Sequence, residues 1–146
     1  MEIIRLNTQN NSFAKEAARI FYWDDRNDNR VNERFFKDDK NIMYVAVVEG
    51  EVVGQIYGYI FERFDMPKKQ LFLYSIDVLK SYQKRGIGKA LVYKFLDHLN
   101  TDDYHKAFVL TNKGNVSAMS LYKSTGGKQI VSDEGEEILF KWIPSI

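Results

Sequence analysis

Six residues, Gln83-Lys84-Arg85-Gly86-Ile87-Gly88, stand between an apolar run (Leu71 to Leu79) and an amphipathic stretch that closes near Leu99. The order is strand, glycine turn, helix, and it brings a strand end and a helix start to one point. Backbone N–H groups at a glycine-opened helix start, with the helix dipole behind them, form an anion site. Gly86 and Gly88 carry no side chain to block a phosphate, and Lys84, Arg85 and Lys89 add positive charge. The segment therefore reads as a pyrophosphate cradle; the plainer alternative is a tight turn with a solvated basic rim. Two familiar phosphate motifs fail on detail. A P-loop needs Gly-Lys-Ser/Thr, but Gly88-Lys89 precedes Ala90, and a dinucleotide fingerprint needs a third glycine where Leu91 stands.

Composition narrows the partners. A chain of 146 residues fits one domain with an adequate core, and ten Phe, nine Tyr and two Trp argue against disorder. A net charge of +1 gives no reason to expect nucleic acid. Without cysteine there are no disulfides, thiol nucleophiles or cysteine-ligated metals, and with only His98 and His105 no metal site is expected. No apolar run reaches membrane-span length and no signal-peptide pattern opens the chain, so the expectation is a soluble, cytoplasmic protein without membrane partners.

Periodicity orders the elements. Glu2–Leu6 reads as a strand, followed by a helix that Ser12 would cap, with Phe13, Ala17, Ile20 and Phe21 on one face. Val31–Lys37 reads as a short helix. Ile42–Val48 and Val52–Phe64 flank Glu49-Gly50-Glu51 as a hairpin, and Asp65-Met66-Pro67-Lys68 reads as the turn into the next strand. Ile87, Leu91, Val92, Phe95, Leu96 and Leu99 form the stripe of the following helix. Lys106–Thr111 is a strand. Asn115–Thr125 is a helix with Ala118, Leu121, Tyr122 and Thr125 on one face, ended by Gly126-Gly127. Strands at Lys128–Val131 and Glu137–Ile143 close the chain. The order β-α-α-β-β-β-α-β-α-β-β predicts an α/β domain with a mixed, mostly antiparallel sheet covered on both faces, and the long hairpin argues against a doubly wound dinucleotide fold.

Tyr82-Gln83-Lys84-Arg85-Gly86-Ile87-Gly88-Lys89-Ala90-Leu91 resembles motif A of the Gcn5-related N-acetyltransferases, the GNAT superfamily. Asn115 to Gly127 resembles that family's second motif, Asn-x-x-Ala-x-x-x-Tyr-x-x-x-Gly-Phe, with Gly127 where an aromatic is usual. The resemblance extends over the whole chain as one domain, residues 1–146. It implies transfer of acetyl from acetyl-CoA, without a metal, to an amine. Amides around Gln83, Lys84, Arg85, Gly86, Ile87, Gly88 and Lys89 would hold the CoA pyrophosphate. Lys84, Arg85 or Lys89 would meet the 3′-phosphate, the strand edge at Ile76 and Val78 would offer backbone groups to the pantetheine arm, and Asn115 would bond the arm near the thioester. Tyr122, at the family's tyrosine position, would protonate the departing sulfur or position the thioester; by periodicity alone it is a core residue.

Acetyl transfer requires a neutral amine, a polarised carbonyl, a leaving thiolate and both substrates held at attack distance. In the strand before the glycine turn, alternation puts Phe72, Tyr74, Ile76 and Val78 on one face and Leu71, Leu73, Ser75 and Asp77 on the other. Asp77, at the polar end of its face, is the expected base or amine anchor. The glutamate of the Gcn5-type strand falls near Phe72 and is absent here. The stretch Arg63 to Val78 is similar to the aminoglycoside 3-N-acetyltransferases, which carry Asp where this chain has Ser75. Acidic groups gather at Asp24, Asp25 and Asp28, at Glu62 and Asp65, and at Asp133, Glu134, Glu136 and Glu137, either as solvated loops or as a rim that steers a cationic amine. Phe21, Tyr22 and Trp23 would pack in the core, form a homodimer face or line the acceptor site. The leading expectation is an N-acetyltransferase acting on a cationic small amine such as an aminoglycoside or polyamine. A protein N-acetyltransferase and a non-catalytic acyl-CoA-binding module remain as alternatives.

Overall fold

The computed structural model describes residues 1–23, 30–130 and 137–144. Among these, seven strands form one sheet in the order β1-β2-β3-β4-β5-β7-β6: β1 Glu2–Arg5, β2 Asn41–Val48, β3 Glu51–Arg63, β4 Met66–Val78, β5 Tyr104–Asn112, β6 Lys128–Ile130 and β7 Glu137–Trp142. Every pair is antiparallel except β4 with β5. Helix α1 (Ser12–Phe21) lies on the sheet face of Met43, Val45, Val47 and Val52. Helix α2 (Ile87–Leu96) lies on the opposite face, where Ile42, Ile56, Leu71 and Leu73 meet Leu91 and Phe95. Helix α3 (Val116–Ser124) joins that second core through Tyr122 and Leu121. The expected mixed sheet with helices on both faces is the observed architecture.

Several boundaries differ from the sequence reading for local reasons. Asn11, not Ser12, is the N-cap residue of α1, and its side-chain amide donates to Glu33 instead of its oxygen capping the helix. The second short helix is a 3-10 turn at Glu33–Lys37, whose first turn is held by Asn32 accepting from the Arg34 N–H. The β3–β4 turn is Phe64-Asp65, so Met66 and Pro67 are already strand. Helix α2 ends at Leu96, and a 3-10 turn at Asp97–Leu99 continues the apolar stripe.

The larger correction lies within β4. Tyr57 pairs with Ser75 but Gly58 pairs with Leu73, so Tyr74 is an extra residue, a β-bulge. The bulge reverses the alternation. Leu71 and Leu73 enter the α2 core before it, Ile76 and Val78 pack there after it, and Ser75 and Asp77 turn to the α1 face. The four residues Leu71, Leu73, Ser75 and Asp77 therefore do not share a face. Gly58 makes the bulge feasible: a Cβ there would stand 2.0 Å from the Phe72 carbonyl oxygen and 2.7 Å from the Phe95 ring.

Candidate active site

Strands β4 and β5 pair only from Lys69↔Tyr104 to Leu73↔Val109. Beyond that point β5 stays with β7 and β4 stays with β3, so the sheet opens between them. The Leu79 N–H donates to Val53 O, which makes Val78↔Gly54 a pair of the kind that exchanges no hydrogen bonds. By alternation Ile76 and Val78 direct their N–H and C=O groups away from β3, into the opening. The Gln83 side-chain amide takes the Val78 carbonyl at 3.0 Å and ties the glycine turn to the strand end.

That turn opens α2 with two left-handed positions separated by one residue. Gly86 is the N-cap of α2 with φ 84°, and Lys84, also left-handed at φ 63°, precedes it. No atom lies within 4 Å of where a Gly86 side chain would begin. Lys84, Arg85 and Lys89 are exposed around it, and the Arg85 guanidinium sits 5.1 Å from the centre of the Tyr82 ring. Ala90 is the first residue of α2 to bond back, to Gly86 O, and the earlier helix amides have no helical carbonyl to meet. A Gly88 Cβ would lie 3.4 Å from Leu121, an ordinary contact, and the Ile87 side chain is core, as its place on the apolar stripe implied.

Tyr122 lies on α3, near enough to β4 for its phenol to feel the charge of Asp77. Its ring is buried against Phe140 and edge-on to Trp142. Its hydroxyl makes no hydrogen bond to any described residue. Burial, and then the charge of Asp77, push this phenol up to about 12. Asn115 is the N-cap of α3 and its side-chain oxygen accepts from the Ala118 N–H at 3.2 Å, so helix capping already engages one end of that amide. Gly127, where the family pattern has an aromatic, lies under Trp142: a Cβ would be 2.9 Å from that ring. The aromatic arrives from β7 instead, with the Trp142 indole N–H donating to Thr125 Oγ1 at 3.3 Å.

On the α1 side, Asp77 is the hub of a polar cluster. Its Oδ2 accepts from the Tyr22 hydroxyl at 2.9 Å and from Gln55 Nε2 at 3.0 Å, and Tyr22 and Ser75 hydroxyls lie 2.6 Å apart. Gln55 Nε2 also donates to the Tyr22 hydroxyl. Gln55 is fully buried, with its Oε1 unpartnered. The Tyr22 ring is two-fifths exposed, but its hydroxyl lies inside the cluster, where burial and the adjoining Asp77 raise its pKa far above the ordinary tyrosine value despite the opposing bond from Ser75. Tyr22 was one of three aromatics the sequence left open. Gln55 was missed, although an amide inside the apolar run Val52–Ile60 was its signal.

The remaining expectations divide. Glu62 pairs with Lys40 at 3.4 Å and Asp65 with Arg63 at 2.6 Å, so this acidic group is matched by cations. Asp24, Asp25, Asp28, Asp133, Glu134 and Glu136 lie outside the described residues. Among the described residues no three metal-ligating side chains cluster, and no helix is long and apolar enough to cross a membrane.

A strand edge opened beside a glycine-capped helix is matched by a family model covering residues 6–126. The chain belongs to the acetyltransferase (GNAT) family. Human N-acetyltransferase 8 is 27% identical over 99 residues, which are 68% of this chain but only 44% of that relative. An aminoglycoside acetyltransferase from an uncultured soil metagenomic sample, crystallised with trehalose, superposes with a TM-score of 0.75 at 21% identity, covering 92% of this chain and 94% of that one. Arabidopsis thaliana NAA60 in complex with acetyl-CoA superposes with a TM-score of 0.71 at 15% identity, covering 97% of each chain. At these identities the two structures carry the GNAT fold.

Proposed function

We propose that this chain is an N-acetyltransferase that moves the acetyl group of acetyl-CoA directly to a primary amine. One arrangement supports the reading: the Gly86 turn is tied by Gln83 to the end of β4, beside the stretch from Ile76 to Val78 that β5 does not pair, and the Tyr122 phenol feels the charge of Asp77. The cradle amides and Lys84, Arg85 and Lys89 suit phosphates, and the β4 edge suits the amide-bearing pantetheine arm, which would pair as a short strand. The acetyl-CoA complex of a protein with the same fold supports this use. Asn115, the N-cap of α3, is the expected partner of the arm near the thioester.

The residues divide the chemistry. Asp77 anchors the incoming ammonium and, directly or through Tyr22, receives its proton. Tyr122 faces the departing sulfur. A phenol held at about 12 keeps its proton more tightly than a cysteine-like thiol, which ionises near ~8.5. Tyr122 therefore donates a hydrogen bond that stabilises the developing thiolate, and full protonation follows from the amine's released proton. The acceptor is a cationic small amine, the class that includes aminoglycosides and polyamines, as Asp77 and the fold shared with an aminoglycoside acetyltransferase suggest.

Thiol release from acetyl-CoA, measured with a panel of primary amines and amino-terminal peptides, tests the reading. Release with a small amine is expected. Gly86→Asp should abolish it along with CoA binding in a folded protein, whereas Gly88→Ala, which only touches Leu121, should retain CoA binding. CoA binding without release on any amine would leave a binding module in place of the enzyme.

A further inference from the structure

Resting on the transferase reading, we propose that the acceptor is a primary amine that carries an aromatic ring, and that the ring seats in the cavity between α1, the 3-10 turn at Glu33–Lys37 and the sheet. The cavity has a volume of about 250 Å³. It adjoins the chemistry because Tyr22 belongs to both: its ring lines the cavity and its hydroxyl bonds Asp77. An ammonium at Asp77 would thus have the rest of its molecule beside this space.

The walls select what fits. Tyr22, Trp23, Phe35, Phe36, Tyr57 and Tyr59 all line the cavity. Phe35 meets Tyr57 at 5.9 Å and 88°, and Tyr59 at 6.1 Å and 75°, while Tyr22 meets Tyr57 at 6.2 Å and 75°. Rings already set edge to face present both edges and faces to a further ring, the geometry aromatic pairs prefer. Ala14 and Ala18, one turn apart on α1, provide the space by being small. Among the described lining residues none is Asp or Glu, and the charged one is Arg30. The described walls are mostly aromatic and aliphatic, so they reward an apolar ring more than a strongly hydrated ammonium group. The volume lies just below the range of about 300–1,000 Å³ of drug-sized pockets, which suits one or two rings. Asp77 for the ammonium, with rings for a ring, specifies an arylalkylamine.

Calorimetric titration of the CoA-loaded protein with 2-phenylethylamine, n-butylamine and spermidine tests this without requiring turnover. At least tenfold tighter binding of 2-phenylethylamine is expected, and Ala18→Leu, which fills the cavity, should remove the advantage. Equal affinities, or an advantage that survives Ala18→Leu, would overturn the proposal. Aromatic-proton shift mapping on the unmodified protein locates the ring independently of any variant: shifts at Tyr57 and Tyr59 support the cavity, and shifts confined to other rings refute it. The outcome for the transferase reading is separate. Ring-selective binding with no thiol release on any amine keeps the pocket and removes the enzyme, whereas release to butylamine at the rate seen with 2-phenylethylamine, alongside equal affinities, does the reverse.

Discussion

Two hydroxyls of opposite situation frame Asp77. The Tyr22 hydroxyl is engaged by Ser75, Gln55 and Asp77, whereas the Tyr122 hydroxyl has no partner among the described residues. A buried ring that keeps its hydroxyl unspent is what a donor to a substrate atom requires, and it makes the role separable from stability. Tyr122→Phe should lower kcat about 10²-fold, the usual scale for losing one preorganised hydrogen-bond donor to a developing anion. It should leave acetyl-CoA affinity within about threefold and the melting temperature nearly unchanged, since no internal hydrogen bond is lost. An unchanged kcat removes the role. Asp77→Asn probes the other side of the gap. An asparagine oxygen still accepts from Tyr22 and Gln55, but the charge is gone, so the Tyr122 phenol should titrate lower than about 12 while staying above 10.0, where burial alone would hold it. Carbon-13 titration of labelled tyrosine reads this directly. A Tyr122 titration that does not move would mean that Asp77 and Tyr122 do not share one electrostatic site.

At the scale of elements, the bulge in β4 decides what the site contains. Without Tyr74 as an extra residue, Ser75 and Asp77 would point into the α2 core beside Leu71 and Leu73. Gly58 is the partner that permits the bulge, with the Phe72 carbonyl only 2.0 Å from a notional Cβ. Gly58→Ala should cost about 3 kcal/mol, the upper end for overpacking, because backbone rather than a side-chain tip must move. Denaturant unfolding measures it, and a loss below about 1 kcal/mol would mean that the strand can slide past the glycine. The bulge also marks where sequence reading stopped. Strands, helices and their order were legible because each has a clear period, and the glycine turn before α2 was legible because glycines and cations cluster between two such periods. Strict alternation cannot reveal one extra residue; Gly58 within an apolar strand was the available clue. Nor could spacing distinguish the two glycines of the turn. Gly86 needs a left-handed backbone, whereas Gly88 has an ordinary helical backbone and a Cβ there would only touch Leu121.

Across the whole molecule, the opening between β4 and β5 and the aromatic wall on the α1 side place phenols where water is scarce. Tyr57 and Tyr122 are each pushed up to about 12, chiefly by burial, and Tyr44, Tyr59 and Tyr104 are also raised by burial. His98, buried beside Tyr44, is lowered. The consequence for stability has a definite sign at each end. Tyrosines of the unfolded chain lose their protons near 10.0, while those of the fold retain theirs to higher pH. Between these values the folded state binds more protons, and stability falls as pH rises. At the acid end the unfolded His98 takes up a proton near 6.5 before the folded one does, so stability also falls as pH drops through that value. A plateau from about pH 7 to about pH 10 is expected, with a steep alkaline side. Melting temperatures followed by circular dichroism across this range test the account, with Tyr57→Phe/Tyr122→Phe as the decisive comparison. The double variant should lose much of the alkaline decline and keep the acid one. An alkaline side as steep as in the parent protein would move the effect to other groups and deny these two rings their buried, proton-holding setting.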